Sequence, residues 1–463
     1  MTPLPRPLLH FTPPQGWMND PNGLVYLDGE YHLFYQYHPE SLVWGPMHWG
    51  HAVSRDLLRW EQLPIALFPD EHGTIFSGSA VYDHANSSGL VPGGGLVAMF
   101  SYHTQTQGLA YSSDRGRTWH KYEGNPVLPA KAENFRDPKV FAFGGHWTMV
   151  LAAGDHLEFY RSSNLTSWEQ TGRFDAELEV GVWECPDLFP LVHQGREHWV
   201  LFLSVADKAP NGGSGTMYWV GNFDGSNFVA QTGPQWLDHG TDNYAGVTFN
   251  NAPEGQRLFL GWMNNWKYGR EIPADSWRGA MTLPRVLTLE SSGSQATEPR
   301  LVQRPVAALE KLYASGRSLV TGPVNGLLKL GHVTQPFDLK LRLESAEGVG
   351  AVLRWSGDDW AFEVHWDPAG QLTLHRSLPL SATFHPHFVL PVVMPLPASK
   401  NLSLRVVGDF TSLELFANEG RNVVTALVYP ATFELELELL AAGTGVFLLG
   451  GQISTLQAPE PGI

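Results

Sequence analysis

Three carboxylates in three short motifs are the residues best suited to chemistry: Trp17-Met-Asn-Asp20-Pro-Asn-Gly23, Arg136-Asp137-Pro138 and Glu184-Cys-Pro-Asp187. A single Asp before Pro is ordinarily a turn or a cap. Three acids that each open a β-rich run suit a reaction needing one ionised carboxylate and one protonated carboxyl. Arg136 adjoins Asp137, and a neighbouring guanidinium favours the ionised form. Glu184 stands between Trp183 and Cys185, an apolar setting that suits a proton donor. Paired carboxylates in unlike environments are what cleavage of a glycosidic bond requires. One attacks or stabilises the anomeric carbon, and the other protonates the departing oxygen. Asn19, Gln36 and Ser77 can hold hydroxyl groups. Trp17, Trp44, Trp49, Phe76, Tyr244 and Trp262 can offer flat apolar faces to a sugar ring, although most of the 17 Trp must be core.

Such scattered residues need a fold that gathers them, and the chain carries a repeat able to do so. A polar turn followed by an aromatic recurs as Ser54-Arg-Asp56-Leu-Leu-Arg-Trp60, Ser113-Asp114-Arg-Gly116-Arg-Thr-Trp119 and Ser163-Asn164-Leu-Thr-Ser-Trp168. A weaker copy is Asn222-Phe-Asp224-Gly-Ser-Asn-Phe228, and the aromatics lie 59, 49 and 60 residues apart. A second series interleaves with it: the Trp17 motif, Phe76-Ser-Gly-Ser79, Arg136-Asp-Pro138, Glu184-Cys-Pro-Asp187 and Asp242-Asn-Tyr-Ala-Gly246. Five units of this length match the four short strands of a propeller blade. The reading is an all-β chain with a five-bladed β-propeller over residues 1–300. Its five motif starts line one funnel, with the three acids expected at the same blade position.

Beyond Pro284-Arg-Val-Leu-Thr-Leu289 the pattern changes. Ser291-Ser-Gly-Ser294 reads as a loop, and residues 301–312 as a brief helical connector with Pro305 near its first turn. Phe337–Leu343, Leu402–Val406 and Phe433–Leu439 alternate strictly between apolar and polar residues, the signature of half-buried antiparallel strands. They predict a β-sandwich over residues 313–463, with no convergent acids and so no assigned chemistry.

Composition closes off other classes. The chain has 463 residues, 43% hydrophobic and 12% aromatic, with 48 Gly and 34 Pro, which suits turn-rich β structure. Its 30 Lys and Arg against 46 Asp and Glu give a net charge of −16. That field disfavours nucleic acid and anionic membrane as partners. No run approaches the ~18 apolar residues of a membrane helix. Three prolines in the first seven residues interrupt any signal-like helix, so the expectation is a cytoplasmic chain, or a secreted one trimmed of its leader. One cysteine, Cys185, excludes an internal disulfide, and no base is placed by the sequence to activate it. His48 and His51 form His-x-x-His without a third ligand, so no metal is expected. The glycine runs at 93–95 and 211–215 lack the strand–helix context of a phosphate cradle.

Taken in order, the Trp17 motif, Phe76–Ser79, Arg136-Asp-Pro138, Glu184-Cys185, residues 238–246 and Asp409–Phe416 resemble glycoside hydrolase family 32, the β-fructofuranosidases. The resemblance covers nearly the whole chain and implies a five-bladed propeller with a C-terminal sandwich. It implies Asp20 as nucleophile, Glu184 as acid and then base, and Asp137 as stabiliser of the transition state. Asn19, Gln36, Trp44, Phe76, Ser77, Arg136 and Trp262 would hold the terminal fructosyl unit. Trp44–His51 and Gly261–Tyr268 look more like exo-acting levanases and inulinases than plant-type invertases. Terminal fructose released from levan, inulin and sucrose is the activity implied, with no cofactor. An invertase-type sucrose hydrolase or a fructosyltransferase of the same family, an inverting glycosidase on arabinans or xylans, and a non-catalytic fructan-binding propeller are the competing readings.

Overall fold

Strand-forming runs bounded by Asx turns build five sheets in chain order up to residue 305 and two more beyond it among the described residues. The computed structural model describes residues 5–291, 298–346, 348–357, 360–378 and 383–458. The loop expected at 291–294 lies largely outside these residues. Each of the first five sheets is a meander, and their first strands are Gly16–Leu27, Ile75–Asp83, Phe135–Phe143, Trp183–His193 and Tyr244–Thr248. Each first strand touches the next, and the fifth touches the first, so the strands form a closed ring. Tyr26 N donates to Asn250 O at 3.0 Å and Asn250 N to Leu24 O at 2.9 Å where the ring closes. The short strand Trp277–Arg278 joins the first sheet in parallel beside Gly16 and Trp17.

The polar-turn repeat joins the third strand of a blade to the fourth. Ser54 Oγ accepts from Leu57 N at 2.8 Å, Asp56 Oδ1 from Arg59 N at 2.8 Å, and Trp60 Nε1 donates to Leu57 O at 3.0 Å. In the third blade Ser162, Asn164, Leu165, Ser167 and Trp168 repeat those three bonds at 2.8, 2.9 and 2.8 Å. Leu57 and Leu165 sit at φ 70° and 63° where the second blade has Gly116 at 77°. The side-chain bonds hold leucines in a region that glycine occupies freely.

The helical reading of 301–312 is corrected in its first half. Pro299–Pro305 is the outer strand of the fifth blade, paired with Arg285–Ser291, and only Ala307–Leu312 is a 3₁₀ helix. Leu301, Val302 and Gln303 are buried in succession, without alternation, where this strand packs against Gly420 of the sandwich. The sandwich then stacks a six-stranded on a seven-stranded sheet around Phe337, Trp355, Leu374, Leu415 and Leu437. A separate apolar cluster crosses the junction, with Leu9, Phe11 and Leu283 against Val407, Phe416 and Val423.

Charge is buried at that junction too. Arg285 bonds Glu414 at 2.8 Å and Asp238 at 3.1 Å, and His10 bridges Asp409 at 2.8 Å and Glu414 at 3.0 Å. Burial alone would raise Asp238, Asp409 and Glu414, but Arg285, His10 and backbone N–H donors hold all three below the usual carboxylate range. No helix among the described residues is long and apolar enough to cross a membrane.

Candidate active site

All five ring strands slip register against the next strand of their blade at an equivalent place, with two residues facing one, and the first strand slips a second time between Asn22 and Val25. The doubled pairs are Asn19-Asp20, Phe76-Ser77, Asp137-Pro138, Cys185-Pro186 and Ala245-Gly246, opposite Gln36, Ser101, Leu151, Leu203 and Gly261 respectively. A bulge re-aims side chains and is a frequent device beside active sites. Asp137, Cys185 and Ala245 take φ of 64°, 47° and 53°, a backbone cost accepted at the same bulge position in three adjacent blades.

This register corrects the expectation that the acids share one blade position. Glu184 precedes its bulge, Asp137 is the first bulge residue of its blade, and Asp20 is the second. Spacing in the sequence does not reveal where the ladder slips. The position of Glu184 is shared instead by Arg136 and Tyr244 in the flanking blades, and the three meet sideways. Arg136 Nη2 and Nε donate to Glu184 Oε1 at 2.8 and 3.2 Å, and the Tyr244 hydroxyl donates to Oε2. Arg136 is expected to serve Asp137, but its Nε stands 4.0 Å from that carboxylate, and the carboxylate that it hydrogen-bonds is Glu184. The apolar setting expected for Glu184 is likewise replaced by a guanidinium and a phenol. Trp183 points away into the core beneath the third and fourth blades.

Asp20 accepts from Ser77 Oγ at 2.6 Å and Asn19 Nδ2 at 2.9 Å, and Asn19 is itself held by Trp17 Nε1 at 2.8 Å. Asp137 Oδ2 accepts from Cys185 N at 3.0 Å, and Asp137 N donates to Ser101 Oγ at 2.9 Å. The Cys185 thiol lies 3.6 Å from Asp20 Oδ2 and 3.5 Å from Asp137 Oδ2, so one sulfur joins the two aspartates. Burial pushes Asp20 above the ordinary carboxylate range, opposed by its bonds from Ser77 and Asn19. Burial also pushes Asp137 up, to about 7; Arg136 opposes this, and repulsion from Glu184 and Asp20 adds to it. Arg136 does favour the ionised form of Asp137, as expected, but desolvation is the larger influence. Burial raises the Cys185 thiol well above its usual value, which leaves it an inert donor between two acids. Beneath them Lys139 Nζ donates to Asp187 Oδ2 at 3.0 Å, a buried pair one register step further in.

The remaining predicted residues divide by exposure. Gln36 faces the Asn19-Asp20 bulge and Trp262 pairs with Tyr244; Gln36 Nε2 and Trp262 Nε1 are buried donors without a hydrogen-bond partner among the described residues. Unmet buried donors of this kind suit a hydroxyl-rich ligand. Trp44 is 37% exposed and meets the half-buried Phe76 edge-on at 6.0 Å, making the open aromatic corner of the site. Trp17, Trp49, Trp262 and Tyr244 are fully buried, so none of the four offers a flat face: Trp49 Nε1 binds Phe76 O at 2.9 Å, and Trp17 stacks on Trp266. His51 pairs with His32 at 3.1 Å while His48 binds Pro46 O, so the two rings of His-x-x-His take different partners. Sequence reasoning missed Ser101, Trp266 and the bonds from Arg136 to Asn134 Oδ1 at 2.7 Å and Gln105 Oε1 at 3.3 Å. It had Tyr244 as an aromatic face rather than a partner of the acid. Its place at the start of the fifth motif was the available signal.

The family model described as the glycosyl hydrolases family 32 N-terminal domain matches residues 10–305, and that of the family 32 C terminal matches residues 310–458. A levanase of Bacillus subtilis (strain 168) is 43% identical over 468 residues, spanning 95% of this chain and 69% of that one. The crystal structure of exo-inulinase from Aspergillus awamori superposes with a TM-score of 0.88 at 32% identity, covering 98% of both chains. A variant fructofuranosidase from Schwanniomyces occidentalis complexed with fructosylnystose superposes with a TM-score of 0.91 at 28% identity, again over 98% of both.

Proposed function

This chain belongs to glycosyl hydrolase family 32, and from that premise we propose that it is a retaining exo-β-fructosidase releasing terminal fructose from levan, inulin and sucrose. The observation that carries the reading is the meeting, in one channel, of Asp20 and Glu184 with unlike partners. Asp20 is the nucleophile. Its two oxygens are oriented by Asn19 and Ser77, which donate and so favour the carboxylate that must attack. Glu184 is the acid, then the base. Arg136 on Oε1 can only donate, whereas the Tyr244 hydroxyl on Oε2 can donate or accept. The proton therefore belongs on Oε2, and the Tyr244 bond persists whether or not it is there.

Attack by Asp20 on the anomeric carbon and protonation of the departing oxygen by Glu184 give a covalent fructosyl-enzyme. Water activated by Glu184 then releases fructose with its configuration retained, for which the two carboxyls should lie about 5–5.5 Å apart. Asp137, held by Cys185 N, stabilises the positive charge that develops on the ring. Gln36, Asn19 and Trp262 hold fructosyl hydroxyls, and Trp44 with Phe76 borders the ring. The levanase and exo-inulinase relatives support fructan as substrate, and a closed inner ring with one aromatic corner supports attack at chain ends.

Incubation with levan, inulin and sucrose, with products resolved over time, tests this reading. Monomeric fructose from the outset, released first as the β-anomer, is expected. Early oligosaccharides would mean endo attack or transfer, and an inverted first product would displace the double displacement altogether.

A further inference from the structure

The sandwich strand Asn422–Leu427 is the edge of its sheet, and a propeller segment covers it. His239 N donates to Val423 O at 2.9 Å, Asp242 N to Thr425 O at 3.2 Å, and Leu427 N to Asp242 Oδ2 at 2.8 Å. A Cβ on Gly240 would stand 1.9 Å from Thr425 O, so only glycine permits this approach. Thr425 grips Asp238 twice, through N at 2.9 Å and Oγ1 at 2.6 Å. Arg376 reaches the segment from the other sheet, with Nη2 3.2 Å from Thr241 Oγ1 and 3.6 Å from Asp242.

Everything gripped lies just ahead of Tyr244. Asp238 accepts from Asn243 Nδ2 at 3.0 Å, and Tyr244 follows directly with its hydroxyl on Glu184. Asp242 also accepts from Tyr268 Oη at 2.6 Å, and Asn265 Nδ2 donates to Thr241 O at 2.7 Å. The loop carrying Trp266 is thus tied to the same segment. An adhesive contact between domains has no need to end one residue from a phenol on the acid.

We infer that Thr425 and Arg376 are positioning residues for Glu184: by fixing residues 238–242 they set the Tyr244 hydroxyl against the acid. The sandwich domain is then part of the proton-transfer apparatus. The inference rests on the reading of Glu184 as general acid.

The test uses the full chain with two substrates, sucrose and β-fructosyl fluoride. Fluoride leaves with far less need of a proton, so its single-turnover release reports attack by Asp20 alone. Thr425→Val should lower single-turnover cleavage of sucrose about tenfold, leave fluoride release and sucrose KM within about twofold, and recover with Thr425→Ser. Arg376→Gln should give the same split, and stands in should Thr425→Val fail to fold. Equal losses on both substrates, a change confined to KM, or a lower melting temperature without any split would overturn the inference. Glu184→Gln separates the two claims. It should abolish sucrose cleavage while sparing fluoride release, and if it spares sucrose the acid assignment itself is wrong, whatever Thr425→Val does.

Discussion

Arg285 and Arg136 each stand among buried carboxylates, one at the domain junction and one in the channel, and the two clusters end in opposite states. At the junction Arg285 and His10 serve Asp238, Asp409 and Glu414, with N–H groups of Leu8, Leu9, Leu283, Gly240 and Thr425 filling the remaining acceptors. All three acids are held below their ordinary range. In the channel one guanidinium serves Glu184 directly, while Asp20 and Asp137 rely on neutral donors and are raised by burial. The same residue types hold domains together when saturated with donors, and are poised for chemistry when left short of them.

Neutralising an acid should therefore have opposite consequences in the two clusters. Asp20→Asn should lower kcat on sucrose at least about a thousandfold. It should also raise the urea midpoint at neutral pH, because an aspartate whose pKa is raised on folding costs stability once ionised. A lower midpoint would put Asp20 in the structural class. Glu414→Gln should do the reverse and destabilise by about 3–5 kcal/mol, since Arg285 and His10 lose a buried partner. Specific activity of its folded fraction should stay within about twofold.

His10 sharpens the contrast through pH. Burial alone would lower its pKa, but Asp409 and Glu414 outweigh that and raise it to about 9. A raised pKa contributes stability that is complete below pH 6.5 and is lost as pH rises through about 9. The loss is on the order of 3 kcal/mol, visible as a falling denaturant midpoint between those limits and absent in His10→Gln. The smallest effect belongs to the exposed pair of Lys329 and Glu436, 2.6 Å apart on the sandwich surface. Lys329→Ala should leave the melting temperature unchanged within error, since solvent screens such pairs.

Local chemistry was legible in the sequence, and lateral chemistry was not. Ser54, Asp56 and Trp60 make bonds within a few residues of themselves, so their repeat declared the turn, while the five interleaved motif starts declared the number of blades. The acids were legible because each opens a ring strand. What stayed hidden depends on where a ladder slips and on which blade lies alongside. Arg136 bonds Glu184, 48 residues away, rather than its own neighbour Asp137. Tyr244 reaches the same acid across 60 residues. Asp409 holds the N-terminal segment across about 400 residues, and no periodicity encodes that. The outer strand Pro299–Pro305 was mistaken for a helix because burial on both faces erased its alternation.

The central claim is that Asp20 attacks sugar while Glu184 moves the proton. Glu184→Gln with β-fructosyl fluoride should form the fructosyl-enzyme and leave it stranded, because no base remains to activate water. Acid quenching, proteolysis and mass spectrometry should find one fructosyl unit on the peptide bearing Asp20, and none on it in the Asp20→Asn, Glu184→Gln double variant. A fructosyl unit carried by any other residue, or fluoride released with no covalent adduct at all, would contradict the account.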